Sequence, residues 1–273
     1  MKPWALILGA SSGFGGASAL ELAKAGYNIF GIHLDRSINM PRVNQLIKKI
    51  EHTRQHAIFF NINAADSIKR NEVLDEIKET LSNKDKGHVK VLIHSLAFGS
   101  LKHFISKSQV NCISQSQMEM TQDVMANSLV YWVQGLIFRE LLAEGSKIFA
   151  LTSAGSHSVI PYYGAVSAAK ATLESHIRQL AYELAPMEIT CNAIMAGVTD
   201  TPALAAIPGS KNMIEAAKLK SPRGRLTTPE DVARAIVLLC SENSYWISGN
   251  VIGVDGGESI INFTGERNLH EIK

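Results

Sequence analysis

The sequence predicts an α/β protein, a doubly wound parallel sheet of about seven strands with helices on both faces. Three observations predict it. Short, continuously apolar runs alternate with longer amphipathic runs along the whole chain. The apolar runs are too short to cross a membrane. A glycine-rich turn joins the first such run to the first amphipathic one. Strands covered on both faces carry unbroken apolar runs, and strand–helix alternation winds right-handedly into a parallel sheet.

The chain has 273 residues, 46% of them hydrophobic, enough to bury the core of one large domain spanning 1–273. No internal repeat or low-complexity linker divides it. A net charge of +2 gives no sign of a nucleic-acid or membrane-surface partner. Cys112, Cys191 and Cys240 are scattered, without metal-like spacing, and suit reduced thiols in a cytoplasmic protein. The opening Met1-Lys2-Pro3-Trp4 leads directly into a short buried strand rather than a targeting segment.

In chain order the expected strands are Trp4–Leu8, Asn28–His33, Ala57–Asn61, Val89–His94, Lys147–Thr152, Ile189–Ala193 and Asn250–Val254. The expected helices are Gly13–Ala25, Arg42–Thr53, Ser67–Leu81, Gln117–Leu142, Tyr163–Leu184, Ile214–Leu219 and Pro229–Leu239. Residues 82–87 form a polar turn.

The first strand ends in Gly9-Ala10-Ser11-Ser12-Gly13-Phe14-Gly15. Glycines there let the backbone turn sharply and approach a pyrophosphate, whose charge rests on the free N–H groups of the following helix. Position after strand one makes this a Rossmann-type dinucleotide site, although a glycine turn alone is often only a turn. The second strand ends in Asp35-Arg36-Ser37. An acid at this place favours NAD by binding ribose hydroxyls, and a guanidinium favours NADP by pairing with a 2′-phosphate. Arg36-Ser37 tilts the choice to NADPH, with NADH remaining open. Asn61 and Ile62 offer an amide and an apolar side chain to adenine, or simply close a strand. Ser95, Leu96 and Ala97, after the fourth strand, leave room for ribose and nicotinamide.

Asn127 stands mid-helix, where asparagine is a poor helix former, and suggests a specific hydrogen bond. Ser153 ends the fifth strand, where open α/β sheets bind ligands. Gly197, Val198, Thr199 and Thr201 follow the sixth and suit a carboxamide and a phosphate. The stretch from about 198 to 225 reads as a lid over an apolar substrate. Its Lys211, Lys218, Lys220, Arg223 and Arg225 would face an anionic partner. His52 and His56 straddle a helix end with no third ligand placed by spacing, so no metal site is expected.

Tyr163 and Lys170 open the helix that follows. Seven residues place them about 20° apart around a helix and roughly 10.5 Å apart along it. Val166, four residues before the lysine, carries no ionisable group.

Gly9-x3-Gly13-x-Gly15, Asn127, Ser153, Lys170, Pro222-x-Gly224-Arg225, Pro229-Glu230-Asp231-Val232 and Val254-Asp255-Gly256-Gly257 together resemble the short-chain dehydrogenase/reductase superfamily over almost the whole chain. Most members place a catalytic tyrosine four residues before the lysine, where this chain has Val166. The Tyr163-x6-Lys170 spacing is similar instead to the enoyl-acyl-carrier-protein reductases, and the glycine spacing to their NADPH-dependent FabL type. His94-Ser95 is similar to the FabI type, but a further FabI tyrosine is replaced here by Ser153.

The resemblance implies hydride transfer to the β-carbon of a trans-2-enoyl thioester. Tyr163 would donate a hydrogen bond to the thioester oxygen, and Lys170 would hold the nicotinamide ribose. It also implies an acyl-carrier-protein or coenzyme A thioester as substrate and a homotetramer built through helices 117–142 and 163–184. It says nothing of the C-terminal extension, 258–273. Two other readings stand beside it: a carbonyl or alcohol oxidoreductase of the same fold, and a catalytically silent cofactor-binding relative.

Overall fold

A computed structural model of the chain describes residues 3–82 and 87–261. The core of the expected polar turn, 83–86, and the tail from 262 lie outside the described residues. Seven strands form one sheet: β1 (Trp4–Leu8), β2 (Asn28–His33), β3 (Ala57–Asn61), β4 (Val89–His94), β5 (Leu142–Ser153), β6 (Thr190–Ala196) and β7 (Val251–Val254). Their order is β3-β2-β1-β4-β5-β6-β7 and every neighbouring pair is parallel. The winding reverses between β1 and β4, whose ends Leu8 and His94 lie in register. Such a reversal opens a crevice beyond the carboxyl ends of the strands, and ligands of this fold class bind there.

Alternation along each strand builds two cores. Trp4, Leu6, Leu8, Leu92, Ile148 and Ala150 face one side, while Ala5, Ile7, Val91, Ile93, Phe149 and Leu151 face the other. The first side is covered by α3 (Ser67–Thr80), α4 (Gln115–Gln122), α5 (Ser128–Phe138) and α6 (Gly164–Glu183). The second is covered by α1 (Gly13–Lys24), α2 (Met40–Glu51) and α9 (Pro229–Leu239). Two short helices, α7 (Pro202–Ala205) and α8 (Ser210–Lys220), lie between β6 and α9. Polar caps fix where the helices start. Asp66 accepts from the N–H groups of Ile68 and Lys69, and Ser114 with Gln117 and Thr228 with Asp231 form capping boxes. Trp132 is fully buried and donates its indole N–H to the Ala64 carbonyl at 2.9 Å, tying α5 to the loop before α3.

The first four strands match the sequence expectation residue for residue. β5 begins earlier because Leu142 already pairs with Val89 across a register shift in β4. The helix expected over 117–142 is broken. A π-helical turn, Asp123–Asn127, separates α4 from α5, and the chain turns out of α5 at Glu140, whose φ is 57°. A π-turn inserts an extra residue, so a 3.6-residue pattern carried across it drifts out of phase. The helix expected from Tyr163 starts at Gly164, with Tyr163 as its N-cap. The segment expected as Ile214–Leu219 is longer at both ends.

Candidate active site

The glycine turn is built by close backbone approach. Gly9 and Gly13 take left-handed φ values of 88° and 53°. A Cβ on Gly9 would strike the Ser95 carbonyl, and one on Gly15 would strike the Gly9 carbonyl. The N–H groups of Gly9 and Ala10 donate to the Ile32 carbonyl at 2.8 and 2.9 Å, and that of Ser95 donates to Leu8 at 2.8 Å. The ends of β1, β2 and β4 are therefore locked together. Ser12 caps α1 in extended geometry without a side-chain hydrogen bond. The first N–H groups of α1 thus remain available to an anion. Phe14 turns away and packs on the second core. The cradle fits a pyrophosphate, because the N–H groups that open α1 carry no side-chain cap.

At the end of β2, Asp35 faces inward, with its side chain 8% exposed. Burial pushes its carboxyl up, but hydrogen bonds from Ser11, His33 and Asn39 prevail and hold it below the usual range. His33 Nδ1 lies 3.1 Å away. Arg36 is exposed. Arg42, which the sequence did not mark, brings Nη2 to 3.9 Å from Asp35 Oδ1. It lines a cavity of about 320 Å³ with Ser11, Ser12, Gln45 and Lys49. The Asn61 amide oxygen accepts from Asp35 N–H and its amide nitrogen donates to Asp35 C=O, each at 2.9 Å. These two bonds join the ends of β2 and β3. Ile62 packs on the first core.

Tyr163 and Ser153 meet at the end of β5, and Lys170 reaches the same strand two residues earlier, at Leu151. The Tyr163 ring lies beside Gly155, where an added Cβ would come within 2.7 Å of Cε1 and 3.2 Å of Ser153 Oγ. Ser153 Oγ is buried without a fixed hydrogen-bond partner. Burial raises the Tyr163 phenol above its usual range, and the nearby Ser153 hydroxyl opposes that rise. Lys170 is buried and donates from Nζ to the Leu151 carbonyl at 2.6 Å. Burial pulls its pKa down to about 8 against the pull of Glu174. Glu174 stands one turn further along α6 and accepts from Thr152 Oγ1 at 2.6 Å; its four-residue offset from Lys170 was the available sequence signal. Val166 belongs to the first core, against Gly99, Thr121 and Met125.

Asn127 ends the π-turn and pairs its Oδ1 with His176 Nε2 of α6 at 3.1 Å. His94, fully buried, meets Ser128 Oγ at 2.9 Å, and burial depresses its pKa to about 3. Burial therefore favours its neutral imidazole form. Leu96 packs on the first core next to the Gly9 turn, with Ala97 following it.

After β6, Thr199 Oγ1 donates to the Gly197 carbonyl at 3.0 Å, and Thr201 caps α7 by accepting from Leu204 N–H at 3.2 Å. Thr201 comes within 3.7 Å of a Cβ placed on Gly13, so this loop overhangs the glycine turn. Glu258 was not foreseen; its carboxylate accepts from Val198 N–H at 3.0 Å and ties the chain beyond β7 to the loop. Of the five cations expected to face a partner, Arg225 is committed elsewhere. It binds Asp231 through both terminal nitrogens, at 2.5 and 3.0 Å, and holds that carboxyl far below its usual range. Among the described residues no group of three histidines, cysteines or acids is placed to hold a metal ion, and no helix is long and apolar enough to cross a membrane.

This geometry can be set beside known proteins. The enoyl-[acyl-carrier-protein] reductase [NADH] FabI of Escherichia coli strain K12 is 32% identical over 168 residues, 62% of this chain. The chain spans 63% of the length of that relative. The corresponding protein of Aquifex aeolicus strain VF5 is 31% identical over 210 residues, 76% of this chain and 74% of the relative. The crystal structure of FabI from Candidatus Liberibacter asiaticus superposes with a TM-score of 0.83 at 25% identity, covering 96% of this chain and 97% of that one. The family model described as enoyl-(acyl carrier protein) reductase matches residues 9–259. The chain belongs to the enoyl-(acyl carrier protein) reductase family of short-chain dehydrogenases/reductases.

Proposed function

We propose that the protein reduces the carbon–carbon double bond of trans-2-enoyl thioesters with NADPH. The observation that carries this reading is the placement of the tyrosine. The phenol beside the Ser153 hydroxyl belongs to Tyr163, seven residues before the buried Lys170, while position 166 is a core valine. Bound NADPH supplies a hydride to the β-carbon, and negative charge then develops on the thioester oxygen rather than on the carbon that is reduced. Tyr163 donates a hydrogen bond to that oxygen, where a fixed donor helps the transition state more than the ground state. Its raised pKa keeps it protonated for that role. Ser153 offers a second hydroxyl beside it. Lys170 holds the nicotinamide ribose and keeps the local potential positive. Asn127 and His176 brace α6 against the π-turn. The N–H groups opening α1 would receive the pyrophosphate, Ser95–Ala97 would flank the nicotinamide, and the Gly197–Thr201 loop would hold its carboxamide.

NADPH is preferred over NADH in this reading because Asp35 is already engaged by Ser11, His33 and Asn39. It has little capacity left for ribose hydroxyls. Arg42 and Lys49 bring positive charge to the cavity beside the glycine turn, and the exposed Arg36 follows Asp35 directly in the chain. The acyl chain enters under the segment 198–225, acting as a lid, with a carrier protein or coenzyme A outside near Lys211, Lys218, Lys220 and Arg223. Exposed Phe138 on α5 and Tyr182 on α6 support a homotetramer joined through these helices, and the scattered free thiols suit a cytoplasmic setting. A second reading, reduction of a 3-oxoacyl or other ketone, is favoured by Ser153, whose hydroxyl beside Tyr163 could orient a carbonyl.

NADPH oxidation with crotonyl and acetoacetyl thioesters, run side by side, separates these readings. Turnover of the crotonyl substrate is expected, with Tyr163→Phe losing roughly a hundredfold in kcat and Tyr162→Phe less than threefold. Turnover of only the acetoacetyl substrate would overturn the proposal, and turnover of neither would leave a silent relative. Arg36→Ala and Arg42→Ala should each weaken NADPH binding roughly tenfold while leaving NADH within twofold. A wild-type protein that binds NADH more tightly would remove the NADPH assignment. Lys170 is charged below its lowered pKa of about 8 and loses that charge above it. The kcat/KM should accordingly fall as pH rises through that value, and a profile still flat at about pH 9.5 would show that the charge is not needed.

A further inference from the structure

Tyr162, immediately before the proposed oxygen donor, has a backbone that its residue type disfavours: its φ is 66°, in the left-handed region. Among the described residues, the other non-glycine residues found there are Arg54, Glu140 and Glu188, in turns that follow helices. Glycine or asparagine adopts this conformation readily, whereas a bulky aromatic residue gains nothing local from it. Something outside the tyrosine must hold it. Its ring packs on His103, with centroids 4.3 Å apart and planes tilted by 48°. One residue further along, the Phe104 ring fills the space that a side chain on Gly164 would need, 2.6 Å from an added Cβ. The segment carrying both rings is itself anchored. His103 bridges to Cys112, its carbonyl accepts from Ile113 N–H at 2.8 Å, and Lys102 donates to the Val110 carbonyl at 3.2 Å. Rings from one loop therefore bracket Tyr163, packing on the residue before it and the residue after it. Tyr163 itself is the N-cap of α6, donating to Ile160 at 3.1 Å and accepting from Ser167 N–H at 2.7 Å.

We propose that His103 is a positioning residue for Tyr163. By packing on Tyr162 it holds the left-handed backbone, and with it the entry angle of α6 and the aim of the Tyr163 phenol. This rests on the reading of Tyr163 as the oxygen donor.

The test compares His103→Ala in two backgrounds, the native chain and Tyr162→Gly. It reads kcat with a crotonyl thioester and NADPH affinity by cofactor fluorescence. In the native background His103→Ala is expected to lower kcat about tenfold, since small misplacements of a catalytic group are costly. NADPH affinity is expected to stay within twofold. His103→Phe keeps a ring against Tyr162 and should retain most of the rate. In the Tyr162→Gly background, glycine holds the left-handed backbone unaided, so His103→Ala should change kcat less than twofold. An equal loss in both backgrounds, no loss in the native one, or a loss matched by weaker NADPH binding would overturn the proposal. Tyr163→Phe distinguishes the two possible failures. Full activity in that variant removes the donor reading and this inference with it. An inactive Tyr163→Phe beside an unaffected His103→Ala removes this inference alone.

Discussion

β1 and β4 can end side by side only because no side chain stands between the Gly9 turn and the Ser95 carbonyl. That approach, with Gly15 against the Gly9 carbonyl behind it, fixes three strand ends at the point where the sheet reverses direction. The rest of the site inherits its geometry from there. The helix opening at Gly13 leaves its first N–H groups facing the crevice, Asp35 reaches Ser11 across it, and Thr201 hangs over it from β6. A methyl group at either contact would have to push backbone against backbone, which packed strands do not absorb.

Helix α6 sets the second constraint, a conflict between burial and charge. Lys170 is drawn inside, where its ammonium loses hydration, and it remains within reach of protonation because the Leu151 carbonyl accepts from it and Glu174 lies nearby. Val166, on the turn before, is packed against the α4 and π-turn side chains. A tyrosine forced into that position would overpack the core at a cost of about 1–3 kcal/mol. The phenol is instead displaced to the residue that caps the helix. There the residues on either side of it, Tyr162 and Gly164, meet the rings of His103 and Phe104.

Much of this was legible in the sequence because it depends on local chemistry. Unbroken apolar runs marked β1 to β4 to the residue, and the glycine spacing marked the turn. Features that depend on distant partners were not legible. The π-turn left the apolar pattern continuous enough that 117–142 read as one helix. Arg36 was visible as the residue after Asp35, but Arg42 reaches the same place only because α2 folds back over the glycine turn. The Asn61 amide meets the Asp35 backbone only because β3 pairs with β2. Arg225 looked like a surface cation until the Thr228 cap presented Asp231 to it. Nothing near Tyr162 in sequence announces its packing on His103.

In the proposed reaction the Tyr163 phenol serves an oxygen three bonds from the carbon that is reduced. The most direct measurement follows the hydride: NADPH carrying deuterium at its transferable position, a crotonyl thioester, and mass and NMR analysis of the product. The account predicts a butyryl thioester with deuterium on C3 and a solvent proton on C2. Deuterium on the former carbonyl carbon, in an unsaturated aldehyde or alcohol, would contradict it.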